Sequence, residues 1–214
     1  MIEEKLKKKK ETKTPLEMAL TGDENPPATP LDVFKLARNY WLEGKRVTIG
    51  GLAREVGVSR VTIYRWVGSI DRLIEEILWS FAKPTFEKAV DETQGCGIDH
   101  IIGVHRRFME AFTTFTPMIR YLLENPIAAI KTQNRNPKSA NDRLIKAIEA
   151  HLVEQESQGF IRLPKPAHEI AELITYTNGS LLYCAIIGNW SKVAIEHACV
   201  LTRMILLGEI PEAD

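Results

Sequence analysis

Apolar residues recur at intervals of three and four along nearly the whole chain, and no segment after Leu73 shows the apolar–polar alternation of a half-buried strand. The spacing predicts an all-α protein of about nine helices. The first runs from Pro30 to about Leu42. Thr29 can cap it, Pro30 suits its opening position, and Asp32 complements the positive end of its dipole. A short helix follows from about Ile49 to Val56, with Ile49, Leu52, Ala53 and Val56 on one face and Thr48 as cap. Gly57 ends it, because a left-handed backbone is cheap only for glycine. Ser59 caps the next helix, and Ser69 caps a long one that begins near Ile70 and reaches about Val90. Pro84 interrupts that helix, and the lost hydrogen bond predicts a kink. Further helices are expected from Ile98 to Phe115, from Thr116 to about Asn125, and from Asn141 to Gln158. The polar stretch KTQNRNPKSA between the last two reads as a loop. Two long helices close the chain, Ala167 to Ile187 and Ser191 to Leu207, both apolar over more than half their circumference.

Thr48 to Leu73 carries the most specific chemistry. Two short helices joined by a tight glycine turn form a helix-turn-helix signature. Ala53 is small where the helices cross, and Val58, Ile63 and Trp66 point back to the first helix. Arg60, Thr62, Tyr64 and Arg65 are left facing out. These side chains suit phosphates and base edges in a DNA major groove, with Arg60 and Thr62 as base contacts and Ser59, Tyr64 and Arg65 positioned on phosphates. The alternative is a helical hairpin that packs in a core, in an interaction protein or enzyme that never meets DNA.

Charge favours the first reading. The chain has 28 basic and 28 acidic residues and is neutral overall. Thr29 to Ile70 contains seven basic and three acidic residues, a net of +4, whereas 71–214 has 15 basic and 19 acidic residues, a net of −4. A basic unit on a neutral chain is the electrostatic footprint of a DNA reader with a second domain. The chain divides accordingly into a tail (1–28), a helix-turn-helix domain (29–73) and a larger helical domain (74–214). The tail holds six lysines and six acidic residues and reads as a solvated extension or an arm that touches DNA.

The remaining composition narrows the class. Cys96, Cys184 and Cys199 are odd in number and form no C-x-x-C pair, which argues for a reducing compartment and against a zinc ribbon. The lysine-rich start is not followed by an apolar run of signal-peptide length, and Leu181 to Gly188 is too short an apolar run to span a bilayer. A cytoplasmic protein is expected. His100 and His105 are five apart, His151, His168 and His197 are isolated, and no metalloprotease, phosphate-loop or nucleophile-elbow motif is present. Neither metal, cofactor nor enzymatic activity is implied.

Thr48, Ala53, Gly57, Val58, Ser59 and Tyr64 resemble the pattern of the TetR family of bacterial repressors. Val67 stands where the family has an aromatic residue. Ile70 replaces a lysine that contacts phosphate in the family, and Lys45 or Arg72 would have to substitute. The segments RRFMEAFTTFTPMIRYLLENP and ITYTNGSLLYCAIIG are further similar to the QsdR-like, lactone-responsive repressors of quorum-signal degradation. The resemblance implies a homodimeric, ligand-responsive repressor released from a palindromic operator by a γ-lactone or N-acyl-homoserine lactone. In the family the last two helices pair with their copies, which places Leu181, Cys184, Ala198, Leu201 and Ile205 at the interface. The helix from Ile70 links the two domains there, so a kink at Pro84 would either couple them or merely shape the helix. Thr48, Lys45 and the exposed recognition-helix residues become the DNA contacts.

Phe81, Phe108, Met109, Phe112, Phe115, Tyr121, Tyr176, Asn178 and Trp190 are candidates to line a pocket. Each alone is as well explained by core packing. As a set, aromatics with few polar partners suit a small, mostly apolar ligand, with Tyr176 and Asn178 donating to a carbonyl.

Overall fold

A threonine or serine opens each of the first four helices. In the computed structural model, which describes residues 28–127 and 138–208, Thr29 heads α1 (Pro30–Glu43) and Thr48 heads α2 (Ile49–Val56). Ser59 heads α3 (Arg60–Val67) and Ser69 heads α4 (Ile70–Glu92). Each hydroxyl accepts from the backbone N–H three residues on, which satisfies one orphan donor of the first turn. Thr29 completes a capping box, its own N–H donating to Asp32 Oδ2 at 2.9 Å. Gly57 sits between α2 and α3 at φ +77°, as the turn requires.

The other helices are α5 (Gly97–Thr114), α6 (Thr116–Glu124), α7 (Ala140–Ser157), α8 (Ala167–Gly188) and α9 (Ser191–Leu207). Nine helices and no strand occur among the described residues. The boundaries lie within one or two residues of those expected from periodicity. Residues 1–27 and 131–137, parts of the expected tail and loop, lie outside the described residues. As the expected single helix, α4 runs past Pro84, which lies inside it on the exposed side. The Thr85 hydroxyl beside it donates to the Phe81 carbonyl at 2.7 Å.

Packing does not stop at residue 73. Val33, Ala37 and Trp41 of α1, Leu52 of α2, Ile63 of α3 and Ile77 of α4 form one core with Met118 and Leu122 of α6 and Ile186 of α8. A second core joins Phe86 of α4, Ile101 and Val104 of α5, Leu152 of α7, Ile174 of α8 and Ile205 of α9. A third, between α5, α8 and α9, holds Met109, Leu182, Ile195, Ala198 and Cys199. The helix α8 is long and apolar enough to cross a membrane, yet Ile170, Ala171, Ile174 and Ala185 are buried inside the protein. The start of α5 is held from a distance: Gly97 N–H donates to Oε1 of Gln155 on α7 at 2.8 Å.

This packing corrects part of the expected interface. Ala198 is 0% exposed and Ile205 is buried in the second core, so both face the interior of their own protomer. Leu181 and Leu201 are half-buried and Cys184 is exposed. The outward face of α9 carries Val193, Val200 and Leu207 instead, spaced at seven residues. Because α9 is apolar on two sides, its periodicity did not say which side turns inward.

Candidate nucleic-acid interface and interior cavity

Helix α3 presents Arg60, Val61, Tyr64 and Arg65 to solvent, while Ile63 is fully buried against α1 and α2. Val61 is 66% exposed and was not among the expected contacts, because an apolar residue is assigned to the core by default. Its position after Arg60 and one helical turn from Tyr64 and Arg65 is the signal that places it on their face. Thr62 is half-buried, and its hydroxyl lies 2.9 Å from that of Ser59, so both are engaged in the cap. The Arg60 side chain lies over Gly50, where an added Cβ would come within 3.3 Å of it. Arg60 therefore stands at the start of α2, close to the exposed Thr48.

Lys45 is exposed but paired, its Nζ 2.7 Å from Glu43 Oε2, and that hydrogen bond raises its pKa. Ile70 packs half-buried against the first core. Arg72, the other cation considered beside Lys45, is exposed next to the Gly68 turn.

Between α4, α5, α6, α7 and α8 lies a cavity of about 140 Å³. Phe108, Met109, Phe112, Tyr121 and Asn178, all pocket candidates from the sequence, are in its lining. A second hollow of about 240 Å³ shares Phe108, Phe112 and Met118 with it and adds Phe81 and Phe115. Tyr176 is elsewhere, packed on the second core, and Trp190 lies against Gly188 beyond α8. The residues that went unrecognised are His105 and Tyr183, both in the wall. His105 is one turn before Phe108 and Met109 and two before Phe112, and that spacing was legible.

The cavity wall is neutral. None of its residues is acidic or basic apart from His105, among those described. Burial holds the His105 imidazole below the usual histidine value. Burial likewise raises the Tyr121 phenol to about 12 and pushes the Tyr183 phenol higher still.

The helix α6 belongs to both regions. Its Met118, Tyr121 and Leu122 line the cavity. From the same helix, Arg120 Nη2 donates to the Trp41 carbonyl at 3.0 Å and to the Leu42 carbonyl at 2.8 Å, at the end of α1. A cation at a helix C-terminus satisfies orphan carbonyls and complements the dipole. Gly44 follows at φ +74°, and a Cβ there would meet the Arg120 guanidinium at 2.7 Å. Trp41 stacks on Phe81 at 5.4 Å and contacts Phe115 and Tyr121, so an aromatic cluster fills the joint. Arg38 closes it from α1, donating to the Ser80 hydroxyl and lying 4.2 Å over the Phe81 ring.

No protein-family model matches the chain, and no curated protein matches it. Solved structures do. The transcriptional repressor QsdR of the TetR family from R. erythropolis superposes with a TM-score of 0.76 at 24% identity, over 86% of this chain and 96% of that one. A TetR-family transcriptional regulator from Pectobacterium atrosepticum superposes at 0.60 with 14% identity, over 94% and 100%. Helix order, the capped helix-turn-helix and the likeness to these structures together give this chain the all-helical TetR-like fold.

Proposed function

We propose that this chain is a homodimeric DNA-binding repressor released from a palindromic operator by a small, mostly apolar effector. The observation that carries the reading is the double role of α6, which lines the cavity with Tyr121 and Leu122 and grips the end of α1 with Arg120. Val61, Tyr64 and Arg65 reach base edges and phosphates, with Val61 against a thymine methyl. Arg60, Thr48 and Ser59 hold the start of α2 and α3 on the backbone. An effector that shifts α6 moves α1, and the helix-turn-helix rides with it. Linkage then makes ligand and DNA oppose each other by the same factor, typically about 1–3 kcal/mol.

The dimer forms through the outward faces of α8 and α9, where Ile187, Val193, Val200 and Leu207 are exposed beside Leu181, Cys184 and Leu201. A two-fold pair sets two copies of α3 about one DNA turn apart, roughly 34 Å. The effector is a γ-lactone or an N-acyl-homoserine lactone, a reading supported by the segments that resemble the lactone-responsive repressors.

A mobility-shift titration on the chain's own promoter tests this. Affinity should fall with salt at a log–log slope of about −0.9 per phosphate contact, and Tyr64→Phe should weaken all sequences alike. Salt-independent affinity would return the hairpin to a packing role. A lactone panel added to the same complex tests the effector, and no release across short and long acyl chains ends the lactone reading.

A further inference from the structure

Most of the cavity wall is apolar, and among its polar side chains (His105, Tyr121, Asn141, Thr175, Asn178 and Tyr183) three carry a buried atom with no partner among the described residues: His105 Nε2, Asn178 Oδ1 and the Tyr183 hydroxyl. His105 is 3% exposed. Its Nδ1 lies 2.8 Å from the Ile101 carbonyl oxygen. A carbonyl only accepts, so Nδ1 carries the proton and donates. In a neutral imidazole that leaves Nε2 as an acceptor. Asn178 is 6% exposed and is fixed from behind, its Nδ2 donating to Thr202 Oγ1 of α9 at 3.1 Å, which leaves Oδ1 as a second acceptor. The Tyr183 hydroxyl keeps its proton and is the donor of the set. Buried polar atoms in native proteins find partners as a rule, and three of them around one chamber mark where a ligand's polar groups fit.

Size and shape add to this. A chamber of about 140 Å³ admits a benzene-sized ring. The adjoining hollow, walled by Phe81, Phe108, Phe112, Phe115 and Met118, takes an apolar extension. No ion pair is available for a charged head, which would be buried without compensation.

We propose that the cavity binds an uncharged amphiphile whose compact head delivers a hydrogen-bond donor, a hydroxyl or an amide N–H, to His105 Nε2 and an acceptor to the Tyr183 hydroxyl, with its apolar tail between Phe81 and Phe115. The proposal deepens the effector reading and rests on it for the ligand's role, though not for the existence of the site. It also divides the lactones. An N-acyl-homoserine lactone carries the amide N–H, whereas a simple γ-lactone has no donor and leaves Nε2 unpaired.

The test uses a matched pair of probes on the full chain, 4-propylphenol and 4-propyltoluene, followed by titration calorimetry. The phenol should bind about tenfold tighter, since one satisfied buried acceptor separates them. His105→Phe should bring the ratio to near one while the hydrocarbon keeps its affinity. In the wild-type chain, without any substitution, the ¹⁵N resonance of His105 Nε2 should move on adding the phenol and not on adding the hydrocarbon. Equal binding of the two probes, binding of neither, or a ratio unchanged in His105→Phe overturns the proposal. A chain that discriminates the probes through His105 but has no salt-dependent affinity for its promoter keeps the site and loses the regulator reading. A chain that binds promoter but does not discriminate the probes does the reverse.

Discussion

The helices of the helix-turn-helix unit and those around the cavity are held in different ways. In α1 to α4 every helix is capped by its own hydroxyl, at Thr29, Thr48, Ser59 and Ser69, and left-handed glycines at 44 and 57 close the first two. In the larger region α5, α6, α8 and α9 begin with Cys96, Phe115, Pro166 and Trp190, none of which makes a side-chain cap. Those helices depend on packing and on partners distant in sequence, such as Gln155 at the start of α5, while α7 has both its own cap, Ser139 accepting from Asp142 N–H, and a distant partner, Glu75, whose carboxylate accepts from Ala140 N–H. Local closure in α1 to α4 sets the start of each helix by a residue three positions from its partner. Where a helix end in the larger region has no cap, packing against its neighbours holds it.

The largest effect should come from the packed region. Leu152, fully buried in the second core, should cost about 2–5 kcal/mol when truncated in Leu152→Ala, measured by denaturant unfolding. Hydrogen exchange should then speed up in α7 to α9 while α2 and α3 keep their protection. Equal loss in both regions would show one cooperative unit and erase the contrast.

Acid offers a second way to separate them. His100, His105 and His151 are all buried in the larger region, and the rings of His100 and His151 lie 5.2 Å apart. Burial first, then the neighbouring His100 and His105, lowers the His151 value to about 4. The unfolded chain binds that proton near 6.5, so it holds more protons than the folded one between 6.5 and 4. Stability is therefore full above pH 6.5 and is lost as pH falls toward 4. Exposed His168, raised by Glu149, acts with the opposite sign but is screened by solvent. Chemical denaturation from pH 7 to 4.5 should show the loss, and His151→Phe should flatten it.

Arg120→Ala tests the joint between the regions. It should leave affinity for each ligand alone within a few-fold but weaken the opposition between effector and DNA by about 0.5–2 kcal/mol, read from effector titrations of the promoter complex. Full coupling in the variant would show that α6 is not the connection.

The smallest expected effect compares two serines. Ser59→Ala removes a cap and should cost about 1 kcal/mol, whereas Ser191→Ala, at the start of uncapped α9, should stay within about 0.5 kcal/mol. Thermal unfolding reads both.

Legibility in the sequence followed the same divide. Caps and a glycine turn are local signals, so α1 to α3 and the exposure of Arg60, Tyr64 and Arg65 were readable residue by residue. Val61 was missed because composition, not phase, assigned it. Of the nine pocket candidates read from sequence, five line the main cavity, Phe81 and Phe115 line the hollow beside it, and Tyr176 and Trp190 line neither. A helix that is apolar on most sides does not declare which side meets its neighbour, which is also why Ala198 and Ile205 turned inward.

By itself the sequence determined the helices, their ends and the basic, polar face of α3, because periodicity and capping are set by residues within one or two turns. Only the tertiary structure decided which apolar faces meet, that α6 joins the cavity to the end of α1, and that His105, Asn178 and Tyr183 share one chamber. Those relations bring together residues far apart in sequence, 79 positions for Arg120 and Trp41, and no local spacing encodes them.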